Sequence, residues 1–284
     1  MLTKRGHRLG ASASKGIGLV GHSYAESERS SAVPVRPTRN GRAVVCLPTY
    51  NEAENIPRLV AAVRRALPEA GILVIDDGSP DGTGGLVQQA AAADPRVFLL
   101  SRPSKLGLGT AYMAAFAYAL ENGYDCAMTM DADFSHPPER LSALLAAVDS
   151  GAHLAIGSRY VPGGGVVGWP LRRRILSALA NLFARAMLRL QAHDCTGGFR
   201  CYGRSTMQFL LGEPLRSSGY SALIELLVRC ERAGLRVAEV PITFTDRLAG
   251  ASKISRAELR RAMLTVLQHT RRSSSPFPQN RHQP

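Results

Sequence analysis

Cys126-Ala-Met-Thr-Met130 runs directly into Asp131-Ala132-Asp133 and then Phe134-Ser135-His136-Pro137. A short apolar run stopped by a polar turn reads as a buried strand with two carboxylates at its carboxyl end. Like charges that close raise each other's pKa unless a cation is present. Oxygen ligands with few other donors suit Mg²⁺ or Mn²⁺, which share their shell with substrate phosphates. An isolated D-x-D also serves as a loop that caps the next helix, so its meaning depends on what surrounds it.

The same arrangement recurs on either side. Ala43–Leu47 is an apolar run broken by Pro48-Thr-Tyr-Asn-Glu52, and Ile72–Ile75 is one ended by Asp76-Asp-Gly-Ser-Pro-Asp-Gly82. Val97–Leu100 and His153–Ile156 read as further strands. Between them, residues 53–67, 83–93, 108–122 and 138–149 have helical spacing. Buried strands alternating with helices predict an α/β fold: a mostly parallel sheet with helices on both faces. Such sheets bind ligands at the carboxyl ends of their strands. Three neighbouring strands then deliver Glu52, Asp77, Asp131 and Asp133 to one edge. Asp76 and Asp77 also suit a plain turn, although one turn needs no such density of acids. After Ser158 the pattern predicts a loop at Gly163–Gly165, a helix over 170–190 and a loop over Asp194–Tyr202. A helix over 219–233, a strand over Arg236–Val240 and a helix over 255–269 follow.

The chain has 284 residues and a formal net charge of +13. Residues 1–40 carry +5 and residues 253–284 carry +6, so residues 41–252 carry only +2. A nearly neutral body without an RNA- or DNA-reading motif argues against a nucleic-acid-binding protein. The length suffices for a core without staples. Five scattered Cys without a C-x-x-C pair argue against disulfides and zinc, and suit a reducing cytosol. No run of 18 apolar residues is present, which predicts no transmembrane helix, and no apolar signal-peptide region stands near Met1. Residues 1–40 read as a basic, disordered extension, 41–269 as the catalytic domain and 270–284 as a disordered tail. Gly10-Ala-Ser-Ala-Ser-Lys-Gly-Ile-Gly18 looks like the glycine-rich turn of short-chain dehydrogenases. The preceding Lys4-Arg-Gly-His-Arg-Leu9 cannot be the buried strand that such a turn requires.

Seven motifs stand in order: Pro48–Glu52, Asp76–Thr83, Lys105–Tyr112, Met130–His136, Gly157–Tyr160, Thr196–Arg200 and Asp246–Lys253. Together they resemble the dolichol-phosphate (polyprenol-phosphate) mannosyltransferases of glycosyltransferase family 2, over about residues 42–268. The resemblance implies a GT-A fold, GDP-mannose as donor, Mg²⁺ or Mn²⁺, and a polyprenyl monophosphate as acceptor. By position it places Pro48, Tyr50, Glu52, Ile75 and Asp77 at the nucleoside, and Asp131, Ala132 and Asp133 at the metal and diphosphate, with Asp133 the firmest ligand. It carries Arg159 over as a site arginine, and Arg247 and Lys253 as phosphate contacts. Ser135 stands where some relatives have a metal-binding Gln. A family member using UDP-glucose or another donor with a lipid phosphate is the nearest alternative.

A lipid monophosphate is already ionised and needs no general base; it needs cations to hold it beside an anionic donor. Between Arg159 and His193 there are six arginines and no acid. Arginine's planar fork suits phosphate oxygens, so Arg159 and one or more of Arg172–Arg174 are candidates for the acceptor, with Arg200 a further one. The resulting expectation is a direct, inverting displacement. Residues 171–190 put Leu171, Ile175, Leu179, Leu182, Phe183, Ala186 and Leu190 on one helix face and Arg173, Arg174, Asn181 and Arg185 on the other, with Trp169 in front. Periodicity alone fits either a core-packed helix or an interfacial one. A water-insoluble acceptor favours the second, and with it a cytosolic enzyme held peripherally at a membrane surface. His136 reads as a helix-start residue and the cysteines as core fillers.

Overall fold

The computed structural model describes residues 43–217, 219 and 221–246. The first half alternates β1 (Ala43–Thr49), α1 (Ile56–Ala66), β2 (Gly71–Asp76), α2 (Thr83–Ala93), β3 (Val97–Ser101), α3 (Leu108–Glu121), β4 (Cys126–Thr129), α4 (Leu141–Asp149) and β5 (Leu154–Ser158). It continues through β6 (Gly165–Val167), α5 (Leu171–Leu188), β7 (Arg200–Gly203), α6 (Arg204–Leu211), α7 (Ser221–Arg232), β8 (Val237–Pro241) and β9 (Thr243–Thr245). Seven strands form one sheet in the order β3-β2-β1-β4-β7-β5-β8, and β6 pairs with β9 beside it.

The period-2 alternation of strand side chains divides the core in two. In β1, Val44 and Cys46 join one buried cluster with α3, α6 and α7, while Val45 and Leu47 join another with α1, α2 and α4. The expected α/β layering is thus present, with helices on both faces of the sheet. β1 pairs in parallel with both β2 and β4, so the carboxyl ends of these three strands lie side by side.

Two expectations change. The segment 194–202 is not a loop throughout: Arg200–Gly203 is a strand, antiparallel to both β4 and β5. A four-residue strand headed by an arginine lacks the apolar signature of its neighbours. Its arginine is fully buried because Nε, Nη1 and Nη2 donate to the carbonyls of Gly197, Leu223 and Cys195 at 2.8, 2.9 and 3.0 Å. Arg200 therefore clamps the backbone and is not placed as a phosphate contact. The helix expected over 138–149 begins as a 3₁₀ turn at Pro138–Arg140 and becomes α-helical only from Leu141. The extension 1–40, the helix over 255–269 and the tail 270–284 lie outside the described residues.

Candidate active site

A cleft opens where β1, β2 and β4 end. Pro48, Tyr50, Glu52, Asp77, Asp131, Ala132 and Asp133 line it, joined by Lys105, Gly107 and Leu108 from the start of α3. Seven of the expected donor-side residues thus meet in one place. Ile75 does not line the cleft: it is fully buried inside β2 and packs in the core. Arg247 and Lys253 lie outside the described residues.

The adjacent acids at the end of β2 divide their work. Asp76 braces its own turn, accepting from the Thr49 hydroxyl at 3.2 Å and the Ser79 N–H at 3.1 Å. Asp77 faces the cleft and is paired with Arg102, whose Nε donates to its Oδ1 at 2.6 Å. Arg102 also donates from Nη1 to Thr110 at 2.8 Å, tying Asp77 to the first turn of α3. On the cleft wall Lys105 Nζ stands 4.8 Å from the centre of the Tyr50 ring. Arg102 was not among the sequence candidates, although it too stands at a strand's carboxyl end.

At the end of β4, Asp133 Oδ1 accepts from the Ser135 N–H at 3.0 Å and from its hydroxyl at 2.5 Å. Ser135 thus steers the carboxylate. Phe134 between them adopts φ +59, a left-handed value uncommon for an aromatic residue. His136 is not a helix cap. It is buried, and its Nδ1 accepts the Asp131 N–H at 3.1 Å. Its ring stacks on Phe199 with centroids 5.2 Å apart and meets Phe244 edge-on at 5.4 Å. Burial holds its pKa below the ordinary value, against the pull of Asp131 and Asp133. Two carboxylates beside an open cleft form an all-oxygen donor set that fits Mg²⁺ or Mn²⁺. Among the described residues no group of three His, Cys, Asp or Glu side chains converges to enclose an ion. Such a pair fits an ion completed by diphosphate oxygens and water.

A second cluster, in which two arginines are each paired with a carboxylate, is built from the end of β5, the segment before β7, α5 and the end of β9. Arg159 donates from Nε and Nη2 to the two oxygens of Asp194, both at 2.7 Å, and from Nη2 to Thr196 at 2.9 Å. Asp194 is fully buried; burial alone would raise its pKa, but the Arg159 charge and hydrogen bonds hold it below the carboxylate range. Arg159 lies among the rings of Tyr160, Phe244 and Trp169, at 5.2, 5.5 and 5.7 Å.

Helix α5 turns its polar stripe inward. Arg173 reaches Asp246, Ser177 accepts from the Tyr160 hydroxyl at 2.7 Å, and Asn181 Oδ1 accepts the Cys195 N–H at 2.8 Å. Arg172 and Arg174 point to solvent, so of the three only Arg173 enters the cluster. Most of the apolar residues face out: Leu171 is 70 % exposed, Leu179 57 % and Leu182 58 %, joined by Ile175, Leu176 and Met187, whereas Ala184 and Leu188 pack in the core and Leu190, expected on the outward face, is buried beyond the helix end. The core-packed alternative does not hold for the exposed side chains. Among the described residues no helix is long and apolar enough to cross a membrane.

A GT-A fold with an acidic D-x-D cleft beside an arginine cluster defines a glycosyltransferase. The chain belongs to glycosyltransferase family 2: the family "Glycosyl transferase family 2" matches residues 44–210. It is 52 % identical to "Polyprenol monophosphomannose synthase" of Mycolicibacterium smegmatis over 233 residues, 82 % of this chain and 87 % of that protein. It is 45 % identical to "Undecaprenyl-phosphate mannosyltransferase" of Micrococcus luteus over 225 residues, 79 % of this chain and 92 % of that protein. Among solved structures it resembles glucosyl-3-phosphoglycerate synthase of Mycobacterium tuberculosis, in complex with Mn²⁺, UDP and glucosyl-3-phosphoglycerate. The TM-score is 0.60 and the identity 21 %, covering 81 % of this chain and 80 % of that one. It also resembles a mannosyltransferase from Pyrobaculum calidifontis in complex with GDP-Man and Mn²⁺, with TM-score 0.58, 17 % identity, and 88 % and 70 % coverage. These two likenesses concern the fold.

Proposed function

We propose that the chain transfers mannose from GDP-mannose to a polyprenyl monophosphate, with inversion at the sugar's C1. The observation that carries this reading is an acidic cleft at the ends of β1, β2 and β4 together with two arginines, Arg159 and Arg173, each held in place by a carboxylate. The names of the two curated relatives support the sugar and the acceptor class. The donor's nucleoside sits against Pro48, Tyr50, Glu52 and Asp77. Asp131 and Asp133 hold a divalent cation, which when bound offsets the charge of the leaving diphosphate.

Arg159 and Arg173 hold the acceptor phosphate. The Nε and Nη2 of Arg159 are taken by Asp194 and Thr196, so Nη1 is the nitrogen offered to a phosphate oxygen. The phosphate is its own nucleophile. Its oxygen attacks C1 as the bond from C1 to the diphosphate breaks, and no side chain has to remove a proton. Attack from the side opposite the leaving group turns an α-linked donor into a β-linked product. The exposed apolar face of α5 rests in the lipid headgroup layer and brings the arginines to the acceptor at a membrane surface.

Radiolabelled GDP-mannose or UDP-glucose, incubated with a polyprenyl phosphate and Mn²⁺, tests the reading directly. Label from GDP-mannose should pass into organic solvent. Extraction of label from UDP-glucose alone would refute the mannose assignment, and no extracted label from either would refute the transfer.

A further inference from the structure

Asp246 follows β9 at the foot of α5. Both of its carboxylate oxygens accept from Nη1 of Arg173, at 3.0 and 3.1 Å. The Arg173 guanidinium lies over the Trp169 indole, 4.2 Å from the ring centre, and Trp169 in turn meets Phe244 of β9 at 5.3 Å. The Asp246 N–H donates to the Val167 carbonyl at 2.9 Å, fixing the residue to β6. Gly168 lies against it with φ +82, and a side chain there would begin 3.0 Å from the Asp246 Cβ. Only glycine meets both demands without strain.

A long side chain on the first turn of an exposed helix ordinarily samples many rotamers, and ordering it on binding costs conformational entropy. Here the aromatic platform and the carboxylate select one position in advance. The carboxylate uses only Nη1. Among the described residues Nε and Nη2 take no hydrogen-bond partner, and these two N–H groups form one edge of the planar fork that suits two phosphate oxygens.

The geometry assigns Asp246 as a positioning residue for the acceptor: it holds Arg173 over Trp169 with the Nε–Nη2 edge presented to the acceptor phosphate, and does not touch that phosphate. The assignment rests on Arg173 being an acceptor contact, as proposed above.

The test measures KM for a short-chain polyprenyl phosphate and for GDP-mannose, with the full chain in detergent micelles, for D246A, D246N, D246E, R173A and the D246A/R173A double variant. D246A should raise the acceptor KM about tenfold, leave the donor KM within twofold and leave kcat at saturating acceptor within threefold. D246E should recover part of the loss, and D246A should add little once Arg173 is gone, as for two residues acting through one interaction. D246N, nearly isosteric, carries the same expectation if D246A folds poorly. An acceptor KM unchanged or lowered in the Asp246 variants, while R173A raises it, overturns the assignment and leaves the acceptor reading intact. An acceptor KM unchanged in R173A overturns both.

Discussion

Arg159 and Asp194 form a two-pronged ion pair, 2.7 Å on each prong, and almost no water reaches either partner. Asp194 also accepts the N–H groups of Arg159 and Gly197 at 3.1 and 2.9 Å. It thereby joins the end of β5 to the turn before β7 and sets where the arginine can point. Asp194→Asn keeps the shape and removes the charge, leaving Arg159 buried without its counter-ion. Breaking a buried pair this way costs about 3–5 kcal/mol. The pH dependence has a fixed sign. Because the folded pKa of Asp194 is depressed, its stabilisation is complete above the ordinary carboxylate value of 3.8 and is lost as pH falls through the depressed one. Melting curves from pH 7 to 3 should show the variant less stable at pH 7 and with a flatter acid limb than the parent. Parallel acid limbs would contradict the role given to Asp194.

Arg102 makes a parallel prediction on the donor side. Its Nε serves Asp77 and its Nη1 serves Thr110, two bonds from one rigid fork that a lysine cannot reproduce. Arg102→Lys should loosen Asp77 and raise the KM for GDP-mannose about tenfold, or ~1.4 kcal/mol, with the acceptor KM nearly unchanged. Equal rises in both constants would point to general disorder of the cleft instead.

The strand ends that carry the acidic cleft were legible because each is a buried apolar run stopped by a turn. Asp131, Asp133, Asp77 and Glu52 stand at fixed offsets from such runs, and the parallel sheet brings those offsets together. The arginine cluster obeys no such local rule. Asp194 meets Arg159 across 35 residues and Asp246 meets Arg173 across 73, so no periodicity links them. Helix α5 misleads in a different way. Its pattern separates two faces over most of its length, although Arg174 points to solvent and Leu190 is buried past the helix end, and pattern cannot say which face turns inward. Here Asn181 and Ser177 find partners on Thr196 and Tyr160, which lets the polar stripe be the inner one.

His136 should control metal affinity through the backbone of Asp131. An Nδ1 that accepts the Asp131 N–H carries its proton on Nε2, and the stack on Phe199 fixes the ring plane. His136→Ala leaves that N–H unpaired and opens a cavity beneath Phe199; the lost bond alone costs about 1–3 kcal/mol. Asn can place its side-chain oxygen where Nδ1 stands, whereas Gln carries its oxygen too far along the chain. Mn²⁺ titrations followed by electron paramagnetic resonance, with GDP present, should give weakened binding in H136A and H136Q and partial recovery in H136N. Equal binding in all four proteins would show that the imidazole has no hold on the D-x-D turn.

The outward face of α5 gives a prediction separable from folding. Leu179 and Leu182 are more than half exposed, so replacing both with Glu removes little buried area from the folded chain. At a lipid interface the same change withdraws two apolar side chains, each contributing about 1.5–3 kcal/mol when fully buried, and sets two negative charges against anionic headgroups. The double variant should keep its melting temperature within a few degrees and its transfer rate to a short, detergent-dispersed acceptor. Its co-sedimentation with anionic vesicles should fall at least tenfold, and transfer to long-chain acceptor embedded in those vesicles should fall with it. Undiminished sedimentation would place membrane attachment elsewhere in the chain. A large drop in melting temperature would mean that this face packs against protein.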